Sequence, residues 1–356
     1  MSVESPVIRR CVTIKDIARE VGLSPTTVSL TLGGISKSAS IPAATRKLVL
    51  DAAKRLDYQP NHNARSLVNQ RSSLIGLLVS ESESSWVIPS IVAGVQNICD
   101  AEGYSIVFYT HHGATDEELH CHNCVNRRVE ALIVSGAETR ENTDQILHLQ
   151  KRGIPIVEVF NHSIPSVPAV RTDMYAAGRL AAEHLLALGH RKVAHFTHER
   201  YLINPDALEM WQGFSQTLAA AGVAAQVWTS ILTPERPLGE PFFAEALAAA
   251  RARLAQAERP TAVWCYNSEH HAQALLWACR EQNLRVPQDL SVMGHNDIVF
   301  LSPALTTLRH PLYAIGQRAT ELIFDMLAQK PLAGRLDILL ESEFIVRAST
   351  APPPQG

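Results

Sequence analysis

Apolar positions at Ile14, Ile17, Ala18 and Val21 fall three and four residues apart, the spacing of a short amphipathic helix over Thr13–Val21. Thr13 with Asp16 forms a capping pair at its start, and Gly22 breaks it. Ser24 caps a second helix with Pro25 at its first position, where a missing N–H is harmless. That helix runs through Leu32 and stops at Gly33–Gly34. A third is predicted from about Ala43 to Asp57, ending before Tyr58-Gln-Pro60. Asn61–Asn69 reads as helix or linker, and polar Gln70–Ser73 as a boundary.

Beyond Ser73 the rhythm changes. Leu74–Val79, Tyr104–Tyr109, Ala131–Val134, Ile154–Phe160, Lys192–Phe196, Ala262–Cys265 and Leu290–Gly294 are short apolar runs that read as buried strands. Helical patterns lie between them, including Ile88–Glu102, Tyr175–Leu188, Leu238–Ala257 and Glu269–Gln282. Such β–α alternation predicts an α/β body of doubly wound parallel sheets. There are more strands than one compact sheet holds, so two similar lobes are expected. The domains are then 12–60, a 61–72 hinge or linker, 73–348, and a Pro-rich tail, 349–356, expected to be disordered.

Composition narrows the class. A chain of 356 residues with 46% hydrophobic and 19% charged positions is ordinary and globular. No apolar run approaches the roughly 18 residues that span a bilayer, and Met1–Val12 lacks the apolar stretch of a secretory signal. Six cysteines without framework spacing suit a reducing cytoplasm. Charge is uneven: residues 1–72 hold 11 Lys/Arg against 5 Asp/Glu, while the remainder is acidic. A basic head on an acidic body suggests nucleic acid at one end, although a solvated basic face would look the same.

Two short helices joined at Gly22-Leu23-Ser24 are what a helix-turn-helix requires, the second presenting Ser24, Thr26, Thr27 and Ser29 to a major groove. A buried helical hairpin is the bland alternative; the basic head and the closing third helix weigh against it. Thr13–Ala18, Val21-Gly22, Ser24, Thr27–Ser29, Leu32, Thr45-Arg46, Asn61, Ala64–Leu67, His184–Arg191, Gly213-Phe214, Leu284–Val292 and Leu305–Thr307 together resemble the lactose-repressor/galactose-repressor family of bacterial transcription regulators. The likeness covers about residues 12–348, and Leu30 with Cys265–Asn267 is similar to the maltose-regulon repressor branch.

The resemblance implies a homodimer on double-stranded operator DNA. Pro25, Thr26 and Leu30 match base-facing positions, Thr27 and Ser29 phosphate contacts, and Thr13, Ser24, Asn61 and Arg65 complete the DNA-binding set. Leu67 matches a residue that wedges the minor groove. Leu30 replaces the Arg or His of many members, which removes a strong donor to guanine. The segment 33–41 is longer than usual, and Pro42 occupies the usual Ser cap. No leucine-heptad tail follows Arg347, so no tetramerising helix is expected.

The body resembles periplasmic sugar-binding proteins, with a ligand between two α/β lobes. Ligands in open α/β sheets sit at the carboxyl ends of strands. That rule nominates Trp86, Tyr109, Ser135, Asn161, Asn267 and Asn296 with their loops, and the family match adds Asp173 and Met210. Trp86 is the best aromatic platform, with a packed rim residue as the alternative. Met210 stands where many members carry a ligand-gripping Arg, and Asn296 and Ser268 where Asp is common. Such a cleft favours an uncharged or unusual effector, and the resemblance to sugar-binding proteins implies a sugar-like one. His111, His112, His120, Cys121, His122 and Cys124 fit no zinc spacing, and no cofactor or metal is expected. His270-His271 and His295 are candidates to line the cleft, or ordinary satisfied histidines. No Ser-His-Asp or paired-carboxylate arrangement has an activating context. The expectation is a ligand-responsive repressor, with a pure solute-binding protein as the alternative and a sugar-processing enzyme as a further one.

Overall fold

A computed structural model describes residues 12–32, 41–58, 71–80, 87–111, 129–135, 140–160, 164, 166–199, 202, 204–231, 243–266, 269–297, 303–332, 334 and 336–354. Residues 1–72 and 73–356 form separate compact units.

In the first unit α1 (Ile14–Val21), α2 (Pro25–Leu32) and α3 (Ala43–Arg55) close around Ile17, Ala18, Val28, Val49 and Ala52. The Thr13 backbone N–H donates to Asp16 Oδ2 at 2.9 Å, which holds the first turn of α1. Gly22, at φ +65°, ends it in the left-handed conformation that glycine adopts freely. Ser24 Oγ accepts from Thr27 N at 3.1 Å and so caps α2. These helices are too short to persist alone, so the shared core holds them.

The second unit has two lobes. In lobe one, β1 (Leu74–Ser80), β2 (Ser105–His111), β3 (Ala131–Ser135), β4 (Ile156–Val159), β5 (Ala169–Thr172) and β11 (Asp337–Leu340) pair in parallel, in the order β11-β5-β4-β3-β1-β2. α4 (Val87–Glu102) and α10 (Leu312–Leu327) cover one face through Ile91, Val95, Ile315 and Leu322. α5 (Arg140–Lys151) lies on the other through Ile146 and Leu149. Adjacent Leu77 and Leu78 are both buried, one in each cluster, as a sheet covered on both sides demands.

Lobe two is a parallel sheet ordered β7-β6-β8-β9, of β6 (Val193–His198), β7 (Ala225–Ser230), β8 (Ala262–Cys265) and β9 (Ser291–Met293). α6 (Met174–Ala187) and α7 (Pro205–Ala220) cover one face, and α8 (Phe243–Leu254) and α9 (Glu269–Glu281) the other. α6 and α7 meet backbone to backbone: a Cβ on Gly178 would collide with the Met210 carbonyl, and one on Gly213 with that of Tyr175. The chain passes between lobes at Thr172–Asp173, at His310–Pro311 after β10 (Thr307–Arg309), and at Glu341–Ser342 before β12 (Glu343–Ile345). β10 and β12 pair antiparallel.

The expectation of a disordered tail is corrected for residues 349–354. Ser349 is fully buried, its hydroxyl donating to the Val292 carbonyl at 2.6 Å and accepting from Thr306 N at 2.8 Å. The Ala351 carbonyl accepts from Ser291 Oγ at 3.0 Å and lies 2.9 Å from His190 Nε2. β9 thereby fills backbone and hydroxyl valences that its edge position leaves open. Among the described residues no helix is long and apolar enough to cross a membrane.

Candidate functional site

On α2, burial of Val28 and Thr31 turns Pro25, Thr26, Ser29 and Leu30 outward; Leu30 is 40% exposed, high for a leucine. Thr27 is half-buried and shares a 2.9 Å hydrogen bond with Ser24. The surface of α2 is therefore small, polar and uncharged, with one protruding apolar side chain. Thr13, expected both as a cap and in the DNA-binding set, forms the α1 cap: its hydroxyl donates to Asp16 Oδ2 at 2.6 Å. Asn61, Arg65 and Leu67 lie outside the described residues.

In lobe one the strand order reverses between β1 and β3, and in lobe two between β6 and β8. Crevices form at such switch points. At the carboxyl side of the second, a small pocket is lined by His195, Thr197, Leu202, Ala207, Leu208, Trp211 and Tyr266. The Tyr266 backbone N–H reaches the Phe196 carbonyl at 2.9 Å, which fixes this ring beside β6. His195 is packed among aromatic rings, its centroid 5.2 Å from Trp211, 5.3 Å from Trp264 and 5.8 Å from Tyr266.

The rings continue toward the crossovers. Tyr266 lies 5.2 Å from His295, whose Nε2 is 2.7 Å from His310 Nε2. His310 Nδ1 is 3.0 Å from Thr172 Oγ1, so one hydrogen-bonded string joins the end of β9 to the end of β5. Burial lowers His195 to about 3 and His310 to about 4, and holds His295 well below its ordinary value. All three are neutral at pH 7. One Nε2 of the His295–His310 pair carries the shared proton and the other accepts it. His195 Nδ1, Thr197 Oγ1, His295 Nδ1 and Asn296 Nδ2 are buried without a partner among the described residues. Such groups are costly in a dry interior and are what a polar ligand satisfies. Asn296 and Asp297 have φ of +92° and +60°, and Phe160 at the end of β4 has +72°. Strained backbone at strand ends beside a crevice is a common mark of a binding site.

The expected effector residues divide. Tyr109 and Ser135 are buried at the carboxyl-terminal side of lobe one, Ser135 opposite Val79 in the β1–β3 register. Asn296 belongs to the cluster above. Asp173 is instead a helix cap: its carboxylate accepts from Ala176 N at 2.8 Å, because the first turn of α6 needs an acceptor there. Met210 is 1% exposed and packs in the core with Phe214, Trp264 and Met293, a packing role and not a ligand-facing one. Trp86, Asn161, Asn267 and the segment 112–128 with most of the His/Cys cluster lie outside the described residues. His195, Thr197, Trp211 and His310 were not singled out from sequence. The signal was there: a histidine inside the apolar run Val193–Phe196, and another directly before Pro311.

Residues 13–61 match the family model of bacterial regulatory proteins, lacI family, and residues 182–350 that of a periplasmic binding protein-like domain. A protein of Mannheimia succiniciproducens named HTH-type transcriptional repressor PurR is 30% identical over 345 residues, covering 95% of this chain and 98% of that protein. Its namesake from Erwinia tasmaniensis is 31% identical over 331 residues, covering 89% and 91%. A crystal structure of the lac repressor dimer bound to operator and the anti-inducer ONPF superposes with a TM-score of 0.77 at 24% identity, over 96% of this chain and all of that one. A capped helical pair ahead of a two-lobed body, matched over nearly its whole length by relatives of like organisation, places this chain in the lacI family of bacterial regulatory proteins.

Proposed function

We propose that this chain is a cytoplasmic, homodimeric transcriptional repressor that binds a pseudo-palindromic operator and whose affinity is set by a small molecule between its lobes. The observation that carries the reading is the outward face of α2, Pro25, Thr26, Ser29 and Leu30, opposite buried Val28 and Thr31. These are the side chains a recognition helix lays on base edges, while Leu30 offers apolar contact in the manner that suits a thymine methyl. Ser24 and Thr27 stand at the helix N-terminus, where phosphate contacts are made. Asn61, Arg65 and Leu67 extend the reading to a minor-groove wedge.

The effector is uncharged and polar, with a flat face, and sugar-like chemistry fits that description. His195, Thr197 and Asn296 supply neutral hydrogen-bonding atoms, and Trp211 and Tyr266 supply ring faces. Trp86, Tyr109, Ser135, Asn161 and Asn267 are further proposed contacts, on the strand-end rule. The reading is of a regulator and not an enzyme.

Titration of the full chain against DNA from upstream of its own gene tests this. Affinity should fall by about 0.9 log unit per log unit of salt for each phosphate neutralised. Affinity that is flat in salt, or equal for unrelated DNA, refutes sequence-specific binding and leaves a solute-binding protein.

A further inference from the structure

We propose that Arg171 is a clamp between the lobes, anchored by Asp337 in lobe one and gripping Glu209 of lobe two, that holds one lobe arrangement without any ligand. Arg171 stands on β5, one residue before the chain crosses at Thr172–Asp173. Its neighbour Val170 enters the lobe-one core, so strand alternation turns Arg171 to the opposite face. There its Nε and Nη2 each donate to Asp337, at 2.9 Å to Oδ1 and 2.9 Å to Oδ2. Asp337 is on β11, the strand paired with β5, and belongs to the same sheet. The remaining edge of the guanidinium faces α7: Nη1 donates to Glu209 Oε2 at 2.6 Å and Nη2 to Oε1 at 3.3 Å. Asp206 Oδ1, one turn earlier on α7, is 3.8 Å from Nη1. α7 packs on the four-stranded sheet through Ala207, Met210 and Phe214, so these carboxylates move with lobe two.

A guanidinium has two usable edges, and here each lobe holds one of them. Arg171 is 7% exposed. Separation of the lobes breaks both hydrogen bonds to Glu209 and exchanges them for water, so the closed arrangement is favoured by the strength of a charge-assisted, two-point contact. The chemistry is specific to the pair: a lysine in place of Arg171 has no second edge to offer. The clamp lies beside a crossover and adjoins α7, which also carries Ala207, Leu208 and Trp211 of the pocket. Lobe arrangement and pocket shape are thus read by the same helix. The inference rests on the reading above in one respect, that lobe arrangement controls DNA affinity; the clamp itself is testable without DNA.

The experiment places non-natural spin-labelled residues at exposed Glu102 in lobe one and exposed Ala252 in lobe two of the full chain, and measures their distance distribution without effector or DNA. The wild type should give one dominant distance. Glu209→Gln keeps the Arg171–Asp337 pair but removes the nearer of the two lobe-two charges, leaving Asp206 at 3.8 Å, and should raise the population at longer distance roughly fivefold, the effect of a single well-placed pair. Arg171→Lys should do the same. Glu209 is half-exposed, so its variant keeps the fold even if an Arg171 substitution does not. Unchanged distributions in Glu209→Gln with an unchanged melting temperature overturn the clamp. A shifted distribution with unchanged operator affinity keeps the clamp and refutes lobe control of DNA binding. Loss of operator binding by the wild type refutes the functional reading alone.

Discussion

Mild acid should destabilise the body well before ordinary carboxylates titrate. His195 and His271 are lowered to about 3 and His310 to about 4, each chiefly by burial. In the unfolded chain each titrates near ~6.5. The unfolded state therefore binds more protons throughout the interval between, and stability falls as pH drops below about 6.5. From pH 7 to pH 5 each ring loses about 2 kcal/mol, about 6 kcal/mol for the three. Asp206 works the other way. Burial first, then Glu209, Glu158 and Asp337, push it up to about 6 against the pull of Arg171, so its folded form gains a proton over the same range. It returns about 1 kcal/mol. The net loss from these four groups, about 5 kcal/mol, is a large part of the ~5–15 kcal/mol that holds a domain, and His295, also held low by burial, adds in the same direction. Urea titrations at pH 7 and pH 5, followed by tryptophan emission, measure it. His195→Phe keeps a flat ring beside Trp211, Trp264 and Tyr266 and removes the titrating group, so its loss between the two pH values should be smaller by about 2 kcal/mol. An equal loss in variant and wild type would refute the assignment of His195 as a buried neutral ring.

Other substitutions separate packing from recognition. Gly178→Ala drives a methyl into the Met210 carbonyl, so α6 and α7 must part; destabilisation of about 1–3 kcal/mol is expected in urea melts, together with weaker ligand binding. Ser24→Ala removes the α2 cap and should lower the stability of residues 12–58 by about 1 kcal/mol, seen as faster amide exchange in α2 with α6 unchanged. Leu30→Arg should change the preferred half-site by about 1–3 kcal/mol at one base pair, read by selection from random DNA; identical preferences would show that Leu30 does not face bases.

The legible parts of this chain are those where local and global demands agree. Thr13–Leu32 carries helix periodicity, caps and a glycine stop together, and the helices form there. Ala262–Cys265 is uniformly apolar, and that run is β8 from end to end. β5 was missed because its four residues, Ala169-Val170-Arg171-Thr172, end in a charge and a hydroxyl and resemble a loop. Their burial rests on Asp337, Glu209 and His310, all far along the chain, which periodicity does not register. β7 was missed for a related reason: as an edge strand it exposes Gln226 and Val227 and has no continuous apolar run. The pocket followed the same division. Strand-end reasoning reached Tyr266, His295 and Asn296, but not His195, which lies inside a strand and reaches the pocket through the face of the sheet.

Buried polar residues stand at each place where the chain of the body changes lobe. Arg171 and Thr172 precede the first crossover, His310 occupies the second, and Ser342, 8% exposed, the third. A solvent-excluded joint of purely apolar contacts slides with little penalty, because dispersion has no direction. Hydrogen bonds have direction, so a joint built from them holds a few discrete arrangements and resists those between. Thr172–His310–His295 and Asp337–Arg171–Glu209 both tie the end of β5 in lobe one to lobe two, by neutral and by charged groups respectively. An effector that satisfies Asn296 Nδ2 or His295 Nδ1 acts on the first string and leaves the second intact. Its leverage is then limited to the difference in its own contacts between the two arrangements. On the proposed reading, the set point of the switch belongs to the charged string and the response to ligand to the neutral one.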